Sequence, residues 1–281
     1  MPFRQLIQKY TPRSLRNWLR NPQKSVRYVA DRLAYACGST PEAVIAKDWK
    51  VRCHPASRHH FAVFNTDPVQ AAELKAFAAH SKPGMQLLDV GAHYGFFALA
   101  ALHFGGKGAR VICIEASSKA AAILRANLAA NGASSDVQVI EAAMGSCDGQ
   151  LNMLATGPLG SDYFVVPSEK RDDVTVVKQV ALTSVLASTG FQPTHVKIDV
   201  EGFEEEVIKG GEGFLRAAQP VLFLELHGDF IRRRNQNPES VVGLLRSFGY
   251  KRFFSDGLEL SDADMQAVHH NCRLTCLSSK S

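Results

Sequence analysis

The stretch LLDVGAHYGFFALAAL, residues 87–102, reads as a buried strand that runs through a glycine turn into an apolar helix. Beyond it, short apolar runs alternate with helical patterns, the order of a parallel sheet built from β-α units. MQLLDV, RVICIEA, DVQVIEAAM, THVKIDV and PVLFLEL are the first five strands, YKRFF a sixth and RLTCLSS the last. SKAAAILRANLAANG is a helix with Ser117 or Ser118 as N-cap and Gly132 as its stop. Further helices are expected near 183–189, over EEEVIKGGEGFLRAA and over SVVGLLRSFG. GPLGSDYFVVPSEKRDD, residues 157–173, reads as a loop or hairpin lying over the sheet, where specificity often resides. The expected fold is α/β and Rossmann-like, a seven-stranded, mostly parallel sheet with helices on both faces.

The 281 residues are 46% hydrophobic and 21% charged, an ordinary globular composition. No apolar run reaches the roughly 18 residues that span a bilayer, and the N-terminus lacks the apolar core of a signal peptide, so a cytoplasmic location is expected. Six cysteines without a CxxC pair argue against a zinc module or a disulfide framework, and Cys113 reads as a core residue.

The net charge of +5 is uneven: residues 1–36 hold eight Lys or Arg against one acid, a net +7, which leaves −2 for the rest. We therefore divide the chain into a basic, largely helical arm, residues 1–50, and a cofactor-binding domain, residues 51–281. Leu15, Trp18 and Leu19 lie beside Arg13, Arg16 and Arg20 in an amphipathic stripe. The stripe suits a peripheral membrane contact through residues 1–36, or packing on the chain's own domain or on a twin subunit in a homodimer; both stay open.

In open parallel sheets ligands sit at the carboxyl ends of the strands, so the turn after Asp89 is a candidate site. Its pattern, Asp89, Gly91 and Gly95 in D-x-G-x-x-x-G, lacks the G-x-G-x-x-G of dinucleotide sites. A carboxylate about 4 Å from a phosphate costs roughly 4 kcal/mol at an effective dielectric of about 20, so Asp89 would repel a pyrophosphate. S-adenosylmethionine instead carries an ammonium and a sulfonium that an acid attracts, and a carboxylate that the following helix N-terminus accepts. Glu115, 24 residues after Gly91, suits the ribose hydroxyls, and Glu141 and Ala142 would lie beside the adenine. His93, inside the turn, reads as a contact to the methionine end or a steric filler.

At the fourth and fifth strands the period of two sets Lys197, Asp199 and Glu201 on one side, and Phe223, Glu225 and His227 likewise. Adjacent strands would bring Asp199, Glu225, His227 and Lys197 together opposite the cofactor's methyl group as catalytic candidates. His227, with an ordinary pKa of about 6.5, is the expected base for a hydroxyl. Alternatively Asp199, Glu225 and His227 hold a divalent cation that acidifies it. A purely structural role is also open, with Asp199 and Glu201 capping the next helix. Arg232, Arg233 and Arg234 read as a solvated basic turn ahead of a grip on an anionic substrate.

LLDVGAHYGFFALAAL, VICIEASSKAAAILRANLAANG, EAAMGSCDG, VALTSVL and HVKIDVEGFEEEVIKGG followed by PVLFLELHG resemble, in order, the motifs of FkbM-type methyltransferases. These are class I S-adenosylmethionine-dependent O-methyltransferases of microbial sugars, polyketides and other secondary metabolites. The resemblance covers residues 60–228, with KIDVEG its most specific part. It implies an antiparallel last strand, cofactor contacts at Asp89, Gly91, Gly95, Glu115 and Asp199, and methylation of a hydroxyl on a sugar, glycan or secondary metabolite. His93 stands where the family usually has Asn, Ala116 where Pro follows the ribose acid, and Ser184 where Asp is usual; the first two positions belong with the cofactor contacts. Two other functions stay open: an RNA methyltransferase using the basic arm on phosphates, and a non-catalytic cofactor-binding scaffold. The arm carries no recognisable RNA-binding module, which sets nucleic acid behind a small acceptor.

Overall fold

The computed structural model describes residues 22–156, 162–165, 174–261, 264 and 271–279. The stripe of Leu15, Trp18 and Leu19 and most of residues 157–173 lie outside them. Helix α1 (Pro22–Ala36) precedes a hairpin of β1 (Glu42–Ala46) and β2 (Trp49–Arg52), then α2 (Arg58–Thr66) and α3 (Pro68–His80). Strand and helix alternate through β3 (Gln86–Val90), α4 (Phe96–Gly105), β4 (Arg110–Glu115), α5 (Ser118–Ala130) and β5 (Val137–Glu141). Then come β6 (Ala143–Gly145), β7 (Gly149–Thr156), β8 (Asp162–Val165) and β9 (Val174–Ala181). The alternation resumes with α6 (Leu182–Thr189), β10 (His195–Ile198), α7 (Glu204–Gly210), α8 (Glu212–Ala218) and β11 (Val221–Leu226). It closes on α9 (Gly228–Arg233), α10 (Pro238–Ser247), β12 (Tyr250–Ser255), β13 (Leu258–Glu259) and β14 (Cys272–Ser278).

The central sheet has the order β13-β12-β14-β11-β10-β3-β4-β5. Strands β5, β4, β3, β10 and β11 pair in parallel, and β14 lies antiparallel between β11 and β12. This is the expected seven-stranded sheet with an antiparallel last strand, extended by the two-residue edge strand β13. The chain winds one way from β3 to β5 and the other way from β10, so a crevice opens between the carboxyl ends of β3 and β10.

Both faces are covered, which is why the strands read as continuous apolar runs. Leu87, Val111 and Phe223 face one cluster with Phe77 and Phe97, whereas Leu88, Val90, Ile112 and Ile198 face another with Leu182 and Val207. Ala43, Ile45, Trp49 and Val51 of the β1–β2 hairpin belong to the first of these clusters. Among the described residues no helix is long and apolar enough to cross a membrane.

Two details depart from the sequence reading. Of the segment expected as a loop or hairpin over the sheet, residues 162–165 form β8 of a second, four-stranded sheet of order β6-β9-β7-β8, in which β7 and β8 pair antiparallel. The helix over EEEVIKGGEGFLRAA is two helices, α7 and α8, meeting at Gly210 and Gly211. A Cβ on Gly210 would stand 2.1 Å from the Gly145 carbonyl oxygen, so β6 presses directly on the end of α7.

Candidate active site

The turn after β3 is shaped by close approach. Gly91 has φ +81°, and a Cβ there would fall 1.8 Å from the carbonyl oxygen of Asp199, so only glycine lets the turn lie against the end of β10. His93 has φ +49°, a left-handed conformation that Asn, Asp and His tolerate better than other side chains. A position that the family usually fills with Asn therefore accepts His. The His93 N–H donates to Glu115 Oε2 at 2.7 Å, and the Ser117 N–H donates to Glu115 Oε1 at 2.7 Å.

Asn127 was not anticipated. Fully buried on α5, it donates through Nδ2 to the Tyr94 carbonyl at 2.8 Å and accepts the His54 N–H at 2.6 Å, tying the cofactor turn to the segment before α2. Its only signal in the sequence is a polar residue beside Leu128 on the apolar face of a confidently helical run.

The crevice, about 180 Å³, is lined by Gly91, His93, Glu115, Ala116, Ala142 and Asp199, with Met153 and Val165 of the second sheet among its other walls. Asp89, which borders the adjoining cavity and not this crevice, is 2% exposed, and its Oδ2 has no hydrogen-bond partner among the described residues. Burial raises its carboxyl group to about 7, against the pull of Lys197. Burial likewise raises Glu115 to about 7, despite the N–H groups of Ser117 and His93. A buried carboxyl with an unmet acceptor, a second acid with spare lone pairs and a glycine cradle fit S-adenosylmethionine. Asp89 would hold its ammonium and Glu115 its ribose hydroxyls. Glu141 stands apart from this set. It lines neither this cavity nor the next, because its half-exposed carboxylate pairs with Arg125 at 2.5 Å.

A second cavity of about 340 Å³ adjoins the first, sharing Gly91, His93, Asp199 and Glu201 and adding Gln70, Glu73, Glu225, His227 and Arg273. Register explains the grouping: Lys197 pairs with Asp89, and Glu225 with Arg273 of the antiparallel β14. Lys197, 3% exposed, reaches Asp199 at 3.4 Å and Glu73 at 3.5 Å. Burial opposes its charge, but these carboxylates raise its pKa and keep it cationic. Lys197 thus acts as a fixed buried cation. Burial pushes Asp199 up, yet Lys197 and His227 outweigh it and hold the group below its ordinary range. Arg273 joins Glu73 at 2.8 Å to Glu225 at 2.7 Å, and Glu225 is raised to about 7 by burial and the Asp199 charge.

His227 is not the ready base that its ordinary pKa suggests. Burial lowers it, but the 2.8 Å hydrogen bond with Glu204 and the charges of Asp199, Glu201 and Glu204 raise it to about 9. At neutral pH the ring keeps its proton. Glu225 is also displaced from the expected cation-binding trio: among the described residues, Asp199, Glu201 and His227 are the three whose ligand atoms lie within 4.8 Å of one another. The capping role for Asp199 and Glu201 fails, since Phe203 is the N-cap of α7 and no side chain caps it. Arg232 pairs with Asp229 at 2.9 Å and Arg234 with Glu206 at 2.6 Å.

An FkbM methyltransferase from Methylobacillus flagellatus shares 15% identity at a TM-score of 0.46 over 93% of this chain, which spans only 60% of that protein's length. A putative rRNA-methylase from Clostridium thermocellum shares 12% identity at a TM-score of 0.46, covering 75% of this chain and 95% of that one. A fibrillarin from Aeropyrum pernix, solved with S-adenosyl-L-methionine, shares 11% at a TM-score of 0.43, covering 73% and 76%. No curated protein matches the sequence. The sequence profile described as the methyltransferase FkbM domain matches residues 89–252, more than half of the 281. From the acid of its cofactor turn to the sixth strand of its sheet, the chain belongs to the FkbM family of S-adenosylmethionine-dependent methyltransferases.

Proposed function

We propose that the protein transfers a methyl group from S-adenosylmethionine to a hydroxyl of a sugar, glycan or secondary metabolite. The acceptor cavity carries this reading. Gln70, Glu73, Glu225 and Arg273 set hydrogen-bond donors and acceptors around it, and Phe64 and Phe97 add ring faces, a lining suited to a polyhydroxylated molecule. Lys197, Arg273 and the protonated His227 are already paired with Glu73, Asp199, Glu201 and Glu225, which leaves them poorly placed to grip a phosphate and counts against RNA at this site.

S-adenosylmethionine, when bound, supplies an electrophilic methyl carbon on a sulfonium. Asp199, kept ionised by Lys197, would attract that positive centre. Glu225, with a carboxyl group raised to about 7, would take the hydroxyl proton as that oxygen accepts the methyl group. His227, protonated, fixes the two strand-end carboxylates.

A mass-shift screen of cell extracts with purified protein and S-adenosylmethionine tests the reading. The expected result is a small molecule that gains one methyl as an ether, absent with Asp89→Ala and retained after removal of residues 1–21. Methyl incorporation into RNA that disappears with the same truncation would overturn it in favour of the arm as a phosphate grip.

A further inference from the structure

We propose that Asp199, Glu201 and His227 form a divalent-cation site at the junction of the cofactor and acceptor cavities, with Glu204 as the residue that aims the imidazole. The proposal deepens the methyl-transfer reading and rests on it for the cation's purpose. Both strand ends contribute, β10 through Asp199 and the turn that follows it, β11 through His227. The three residues line the acceptor cavity, and Asp199 and Glu201 also line the cofactor cavity.

What separates this cluster from an acidic edge is the imidazole. Its side chain is 7% exposed, and Nδ1 is engaged at 2.8 Å by Glu204, itself 0% exposed. That bond leaves Nε2 turned to the carboxylates, 3.4 Å from Glu201 Oε2 and 3.8 Å from Asp199 Oδ1, contacts longer than a hydrogen bond, and a cation bound there takes the place of the proton that Nε2 carries in the metal-free chain. A buried carboxylate behind one nitrogen of a histidine, with the other facing two acids, is the outer-shell arrangement that orients metal-bound histidines. Glu204 is itself held, accepting the Gly202 N–H at 3.0 Å.

Asp199 has an oxygen for the task. Asp199 meets Lys197 through Oδ2 and faces His227 through Oδ1. Glu225 is excluded from the ligand set, because Arg273 holds its Oε1 at 2.7 Å and that oxygen is 3.9 Å from Nε2. Two carboxylates and one imidazole on one side, with the cavity on the other, suit Mn²⁺ or a similar ion with open positions for water or an acceptor hydroxyl.

The test is a titration of the full chain with Mn²⁺ alone, followed by electron paramagnetic resonance and calorimetry, with S-adenosylmethionine titrated separately into the same variants. One Mn²⁺ per chain is expected. His227→Ala and Asp199→Asn should abolish binding, leaving the six-line spectrum of free Mn²⁺ at full height, Glu204→Gln should weaken binding about 10- to 100-fold, and Glu225→Gln should leave it within about threefold. Thermal unfolding of each variant identifies any that does not fold, and Glu201→Gln, at a half-exposed position, provides the ligand variant safest for the fold. No saturable Mn²⁺ binding, or binding that survives both His227→Ala and Glu201→Gln, overturns the site. If S-adenosylmethionine still binds in that case, the methyltransferase reading stands without it.

Discussion

Asp89 and Glu115 both titrate near pH 7 because burial disfavours their charge, and the proposed cofactor would bring a cation to one and hydroxyls to the other. Cofactor affinity should therefore be greatest above pH 7 and fall as pH drops through it, by up to about tenfold per unit for each proton that binding must displace. Calorimetry between pH 5.5 and 8 checks this. Asp89→Asn should weaken binding at pH 8 by about 10- to 100-fold, the range of one charge-assisted hydrogen bond, and make the pH dependence shallower. His93 supplies a conformational test. His93→Asn should leave the dissociation constant within about threefold, whereas His93→Val, a β-branched residue forced to positive φ, should cost about 1–3 kcal/mol of stability. Asn127→Ala strands the Tyr94 carbonyl and the His54 N–H in the interior, an expected loss of about 2–4 kcal/mol, read by denaturant unfolding.

The glycine turn and the end of β10 work as one device, since the backbone of Asp199 occupies the space beside Gly91. Gly91→Ala must push the two strand ends apart. Loss of detectable S-adenosylmethionine binding together with a lower melting temperature is the expected outcome, measured by calorimetry and thermal unfolding. The second sheet acts differently. It sends Met153 and Val165 to the wall of the cofactor crevice, yet its strand β9 reads ambiguously because Thr175, Val176 and Lys178 are all exposed and the alternation of a half-buried strand is broken.

The charge pattern of the whole site makes stability depend on pH with a definite sign. Asp89, Glu115 and Glu225 have folded pKa values raised to about 7, so their folded forms bind protons more tightly than the unfolded chain and stability declines as pH rises toward 7. His227, raised to about 9, contributes stability that is fully present below its unfolded value of 6.5 and is lost as pH rises through 9. All four act in one direction. The melting temperature of the cofactor-free protein should fall from pH 6 to pH 9, and saturating S-adenosylmethionine should flatten its carboxylate part. A melting temperature that rises across this range would contradict the protonation states assigned to the site.

The β-α order, the switch-point turn and the acids at the strand ends follow from periodicities of two and 3.6 residues and from glycine's freedom at positive φ, all local properties that a linear chain carries openly. Asp89, Gly91, Glu115, Asp199, Glu225 and His227 could accordingly be named before any coordinates. Glu73, Asn127, Arg273 and Glu204 could not, because each enters through packing: α3 laid over β10, α5 against the segment before α2, β14 inserted antiparallel beside β11, and α7 behind the ring of His227. The same packing reverses the reading of His227 and leaves Glu141 outside the site. Proton affinity and partner choice depend on burial and on distances of a few ångströms between residues remote in sequence, and only the folded chain sets those quantities.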